Sequence, residues 1–119
     1  DFFPNANVYG IDIVESAIFK DERITTFLLS STVKNSIDWL IKEIGTDIDL
    51  VIDDGDHDID SQMSTFRNIM PLVKKDTIYI IEDSKNSQLI KDSLPEYNCN
   101  IITFSPKHKQ DNLIIIKNV

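Results

Sequence analysis

Apolar residues along this chain fall alternately into short continuous runs and into stripes at helical spacing. Residues 8–13 (Val-Tyr-Gly-Ile-Asp-Ile) read as a buried strand, set off by Pro4-Asn5 before and acidic residues after. Residues 24–29 form a second strand. Ser31 or Thr32 then stands as the cap of a helix reaching Ile44, in which Ile37, Leu40, Ile41 and Ile44 share one face. Gly45 is placed to end that helix, since glycine takes positive φ without a Cβ clash. Residues 49–52 begin another strand, which breaks at Asp53-Asp54-Gly55. Ile59, Met63, Phe66, Met70 and Val73 return to helical spacing, and Pro71 kinks that helix or opens a short last turn. Residues 77–81 are a strongly apolar strand that stops at Glu82-Asp83. A weak helix covers residues 86–93 and stops at Pro95. Two more strands, residues 100–104 and 112–117, flank a polar turn at residues 106–111.

The order β-β-α-β-α-β-α-β-β implies an α/β fold, with a largely parallel sheet and helices on both faces. The last two strands are joined by a turn too short for a crossover, so they should be antiparallel neighbours. Phe27, Trp39, Phe66 and Phe104 are expected in the core. The 119 residues suit one domain, taken as residues 1–119.

The net charge of −8 argues against nucleic acid as a partner, because a phosphate backbone calls for a basic patch. No apolar run approaches the roughly 18 residues of a membrane span, so no membrane is expected. The single cysteine, Cys99, forms no intrachain disulfide and suits a reducing, cytoplasmic setting as a small buried filler.

Chemistry concentrates at two strand ends, Asp53-Asp54 and Glu82-Asp83. Parallel strands of one β-α-β unit bring both pairs to the carboxyl edge of the sheet, where open α/β folds place ligands. Converging carboxylates repel, and a divalent cation such as magnesium or calcium relieves that repulsion. The simpler reading is that each pair caps the next helix or turn in solvent. Two pairs at consecutive strand ends, with His57 beside one, favour a site. On the Gly55 turn His57 can lean back over the strand end, where a neutral imidazole takes a proton from a hydroxyl. Asp54, Asp56, Asp58 and Asp60 alternate but do not make an EF-hand, since Ile59 and Thr65 stand where glycine and glutamate are needed. Asp58 and Asp60 instead suit a first helical turn. Asp12 ends its strand where a carboxylate can accept ribose hydroxyls, or can cap the turn into Glu15-Ser16. His108, in the last turn, is given no role.

Residues 2–12 resemble the second-strand region of class I S-adenosylmethionine-dependent methyltransferases. Residues 49–57 (Asp-Leu-Val-Ile-Asp-Asp-Gly-Asp-His) resemble the fourth-strand motif of one branch, the macrocin- and mycinamicin-type sugar O-methyltransferases with the cephalosporin hydroxylase-like proteins. Residues 65–72 and 78–83 continue the likeness, which covers most of the chain to about Ser84. The resemblance implies a Rossmann-like sheet, with S-adenosylmethionine as methyl donor and Mg2+ as metal. It implies Asp54, Glu82 and Asp83 as metal ligands and His57 as the base for an acceptor hydroxyl. On the cofactor side it implies Asp12 at the ribose, with Ser31 and Asp53 alongside, Asp53 also supporting the turn. Asp56 replaces the usual serine of the motif, and Ser30-Ser31 replaces Gly-Asp. The chain has three glycines, Gly10, Gly45 and Gly55, and no Gly-x-Gly. The likeness thus implies a domain without the first strand and its glycine-rich loop. Losing that central strand would leave a gap or force its two neighbours together, and exposed edges would favour a homodimer.

Two readings follow. One is a metal-dependent O-methyltransferase domain acting on a hydroxyl of a sugar or other small molecule. The other is a catalytically incomplete remnant or interaction module. A phosphoryl-receiver domain fits worse, because its acidic pair should end the first strand and Glu82-Asp83 would not be paired.

Overall fold

The computed structural model describes residues 3–104 and 111–119. Of the polar turn at residues 106–111, only Asp111 lies within them, and His108 lies outside.

β1 (Val8–Asp12) and β3 (Ile24–Leu28) pair in parallel, Val8 opposite Ile24 and Asp12 opposite Leu28. β2 (Lys20–Asp21) adds antiparallel to β3. The pattern did not predict it, because two residues show no period. β4 (Leu50–Asp53), β5 (Ile78–Ile81), β6 (Tyr97–Ile102) and β7 (Leu113–Asn118) form a second sheet in the order β4-β5-β7-β6. β4 and β5 are parallel, whereas β7 runs antiparallel to both β5 and β6. The final hairpin is therefore as expected. The sheet as a whole is mixed rather than largely parallel, because β7 enters between β5 and β6 from the opposite direction. β1 and β4 share no ladder and belong to separate sheets, so they are not forced together.

α1 (Lys34–Ile44) begins later than its sequence signals suggest, with Val33 at the N-cap and no side-chain cap. Gly45 closes it with φ 86°, its N–H donating to Ile41 O at 2.8 Å. α2 (Ile59–Ile69) is capped by Asp58, whose Oδ1 accepts from the N–H groups of Asp60 (2.9 Å) and Ser61 (3.0 Å). This is the usual use of an acidic residue at a helix start. Pro71 sits in a 3₁₀ turn, Met70–Leu72, that finishes the helix. α3 (Ser87–Asp92) is short.

The core lies on one side of the sheet. Tyr79, Ile81, Ile114 and Ile116 are fully buried and join Ile37 of α1, Phe66 of α2 and Ile90 of α3 in one cluster with Cys99. Their strand neighbours Ile78, Ile80, Leu113 and Ile115 face the other way by the two-residue period and are only half-buried. Leu50 and Ile52 are exposed. The three α-helices thus cover one face, where both were expected. Handedness explains this: right-handed crossovers that run the same way across a sheet deposit their helices on the same side. The β1-to-β3 connection carries a 3₁₀ turn (Glu15–Ala17) and β2 but no α-helix.

Phe66 anchors this core edge-on to Tyr79 (5.0 Å) and Tyr97 (5.1 Å). Phe27 packs against it as expected. Trp39 and Phe104 do not: they are 46% and 67% exposed. Trp39 falls off the stripe made by Ile37, Leu40 and Ile41, and meets Phe27 edge-on at 5.7 Å.

Candidate functional site

β4 carries Asp53 and Asp54 to the carboxyl edge, and the two separate at once. Asp53 is buried, while Asp54 is exposed. Asp53 Oδ1 accepts from the Gly55 N–H and Oδ2 from the Tyr79 hydroxyl, both at 3.2 Å. Burial raises the Asp53 pKa above the usual carboxylate value, and these two hydrogen bonds oppose that rise. Burial, with the Asp53 charge, pushes the Tyr79 hydroxyl well up, so Tyr79 remains a donor. A Cβ on Gly55 would sit 3.3 Å from Asp53 Oδ1, tighter than ordinary contact. Glycine therefore lets the turn close on the carboxylate.

At the end of β5, the Glu82 N–H donates to Asp53 O at 2.9 Å and extends the parallel ladder. The Glu82 carbonyl accepts from Gln62 Nε2 at 3.2 Å. Asp83 then takes φ 49°, the one positive φ at a non-glycine residue among the described residues. Aspartate tolerates that region better than most side chains, and such outliers mark functional sites. Past this bend, one ligand atom each of Asp54, His57 and Asp83 lies within 4.8 Å of the others. Glu82 does not join this cluster: its backbone is still held in the strand ladder, one residue before the bend.

His57 is half-buried, and its Nδ1 is buried with no hydrogen-bond partner. Nδ1 is therefore closed to an incoming group. A cavity of about 300 Å³ opens beside the cluster, lined by His57, Asp83, Lys85 and Asp111. The sequence had not pointed to Lys85 or Asp111. A signal for Asp111 was present, since a strand antiparallel to β5 must begin at the edge where β5 ends.

The remaining site residues are spread out. Asp12 is exposed at the end of β1, its Oδ1 accepting from the Val14 N–H at 2.8 Å. Ser31 shares a hydroxyl–hydroxyl hydrogen bond with Thr65 (2.8 Å), and its carbonyl accepts from Asn68 Nδ2 (3.0 Å). It thereby ties the β3–α1 loop to α2. The carboxylate of Asp53 is committed to Gly55 and Tyr79, as described.

Two carboxylates and an imidazole at this spacing suit a divalent cation, or a cation site with a base beside it. No protein-family model matches the chain. The chain is similar in sequence to several O-methyltransferases. An O-methyltransferase of Streptomyces olivaceus, which acts on the 3'-position of 8-demethyl-8-(2-methoxy-α-L-rhamnosyl)-tetracenomycin C, is 32% identical over 82 residues. That match takes in 69% of this chain and 21% of the relative. The mycinamicin VI 2''-O-methyltransferase of Micromonospora griseorubida and the demethylmacrocin O-methyltransferase of Streptomyces fradiae are also 32% identical over 82 residues, 69% of this chain and 20% of each relative. The matched segment is homologous to these sugar O-methyltransferases.

The chain spans about a fifth of the length of those sugar O-methyltransferases. Among solved structures, the MycE methyltransferase of the mycinamycin biosynthetic pathway, in complex with Mg and SAH, superposes with a TM-score of 0.77. It is 20% identical and covers 98% of this chain and 38% of its own. A methyltransferase from Streptococcus mutans in complex with SAH gives 0.67 at 11% identity, covering 95% of this chain and 76% of its own. At these identities the likeness establishes the α/β methyltransferase fold.

Proposed function

We propose that this chain carries the acceptor side of a metal-dependent O-methyltransferase site, which moves a methyl group from S-adenosylmethionine to a hydroxyl of a sugar or other small molecule. The observation that carries the reading is the convergence of Asp54, His57 and Asp83 at two neighbouring parallel strand ends.

The donor set fits magnesium. Asp54 and Asp83 are exposed carboxylates within 4.8 Å of each other and of His57. They would hold the ion, with water completing its shell, since Glu82, the other carboxylate expected as a ligand, stays out of the cluster. When bound, magnesium would orient the acceptor hydroxyl and lower its pKa. His57 then takes the hydroxyl proton at Nε2, leaving the oxygen free to attack the donor methyl. Asp53 positions rather than reacts, because its two oxygens are committed to the turn and to Tyr79. On the cofactor side, Asp12 keeps a second carboxylate oxygen open for ribose hydroxyls. Ser31 would act by fixing the loop beside that site.

The other reading, a module that keeps the fold without turnover, is favoured by the lack of a Gly-x-Gly in these residues. Calorimetric titration with S-adenosylmethionine, with and without magnesium, separates the two. Binding that strengthens with magnesium is expected. No heat under either condition would defeat the enzymatic reading for these residues.

A further inference from the structure

The turn between β4 and α2 holds a chemistry of its own, apart from methyl transfer. Asp54 precedes Gly55, whereas Gly10 and Gly45 follow Tyr9 and Ile44. Asp54-Gly55 is thus the one aspartate–glycine pair in the chain. A main-chain nitrogen can attack the side-chain carboxyl of the residue before it and close a five-membered imide. Glycine hinders that attack least, because it has no Cβ.

The local structure leaves the attack open. Asp54, Gly55 and Asp56 are all exposed and lie outside any strand or helix. The Gly55 N–H bonds no backbone carbonyl among the described residues, and its acceptor is Asp53 Oδ1 at 3.2 Å. A side-chain tether at the long end of the hydrogen-bond range lets the nitrogen move. It also puts a carboxylate where the departing proton has to go. The second strand end differs. After Asp83, Ser84 is fully buried and its N–H donates to Asn112 O at 3.1 Å. A nitrogen held there is not free to reach the Asp83 carboxyl.

We propose that Asp54-Gly55 is a self-modification site, where Asp54 converts to isoaspartate through a succinimide. The Gly55 nitrogen bonds to Asp54 Cγ and passes its proton to Asp53 Oδ1. A carboxyl oxygen of Asp54 leaves as water, with that proton and one from solvent. Water then adds at the Asp54 main-chain carbonyl, the bond from that carbonyl to the Gly55 nitrogen breaks, and a proton returns to solvent. One water is lost and one gained, with no oxidant, reductant or cofactor. The backbone now runs through Cβ and Cγ, one atom longer, and the free carboxylate sits directly on Cα. The Asp54 carboxylate is thereby displaced from His57 and Asp83. An ion held by Asp54 would occupy the carboxyl and slow the attack, a protection that rests on the magnesium reading above.

The test is ageing of the whole folded chain without metal, at neutral pH. Electron-transfer fragmentation of its peptides distinguishes isoaspartate from aspartate. Isoaspartate should build up at residue 54 ahead of every other aspartate, at a rate within about tenfold of that in urea. A slower folded rate, or none, overturns the proposal and leaves magnesium binding to calorimetry. Gly55→Ala should slow the conversion about tenfold, about 1.4 kcal/mol of barrier. An unchanged rate overturns attack by this nitrogen. Asp53→Asn keeps an acceptor for the N–H without a base, and should slow the folded chain but not the unfolded one. Equal folded rates overturn the part given to Asp53. The aged chain should bind magnesium at least about tenfold more weakly. Conversion equally fast with magnesium present overturns the magnesium reading and leaves the modification standing.

Discussion

The Tyr79 hydroxyl donates to Asp53 Oδ2 at 3.2 Å, one diagonal step across the parallel β4–β5 pair in which Asp53 faces Ile81. The other Asp53 oxygen holds the Gly55 N–H, so a fully buried tyrosine secures the turn that presents Asp54 and His57. Tyr79→Phe leaves a buried carboxylate short of a donor. It should cost about 1–3 kcal/mol in urea unfolding and weaken magnesium binding. Unchanged values for both would show that the pair does not hold the turn.

Asp83 combines a carboxylate in the cluster with a left-handed backbone. Asparagine tolerates that backbone, so Asp83→Asn should unfold at the wild-type urea midpoint while losing at least about tenfold in magnesium affinity. Asp83→Ala should lose both affinity and stability, the latter by about 1 kcal/mol or more. Equal stability of the two variants would remove the backbone argument.

Gly10 faces Thr26 across the β1–β3 ladder, and a Cβ there would lie 3.0 Å from Thr26 Cγ2. Gly10→Ala should therefore destabilise by about 1–3 kcal/mol through overpacking. Adding Thr26→Ser removes the clashing methyl and keeps the hydroxyl that bonds the Phe19 backbone. The double variant should recover most of the loss, as read by thermal unfolding.

Asp58 titrates below the ordinary carboxylate value of 3.8, chiefly through its hydrogen bonds with Ser61. A depressed folded-state pKa means that its stabilisation is present above the unfolded value and lost as pH falls through the folded one. The stability gap between wild type and Asp58→Ala should thus be full at pH 7 and shrink below 3.8. Asp58→Asn keeps the cap without the charge and should show a smaller change across that range. Urea midpoints at both ends of the range decide it.

The sequence showed most clearly whatever rests on period. Ile37, Leu40 and Ile41 mark α1, and residues 78–81 mark β5, because each pattern repeats often enough to be seen. The strand ends followed, and with them Asp54, Asp83 and His57. β6 was read three residues late, because Asn98 and Asn100 flank a buried Cys99 and polar outward residues hide a half-exposed strand. The one-sided helix layer depends on the handedness of connections, which no local window records. The bend at Asp83 is likewise silent in sequence, since aspartate adopts either hand. Without it Glu82 and Asp83 look equivalent, whereas the fold sends only Asp83 to the cluster.

A sheet roofed by helices on one side alone should meet mutation unevenly. Tyr79 and Ile81 have no accessible surface, whereas Ile52 is 55% exposed and Ile78 and Ile80 only half-buried. A substitution scan across residues 50–53 and 78–81 would oscillate with every second position: permissive, intolerant, permissive, intolerant. Read without the fold, that oscillation would pass for a strand lying on a water-facing surface, although six of these eight side chains are aliphatic.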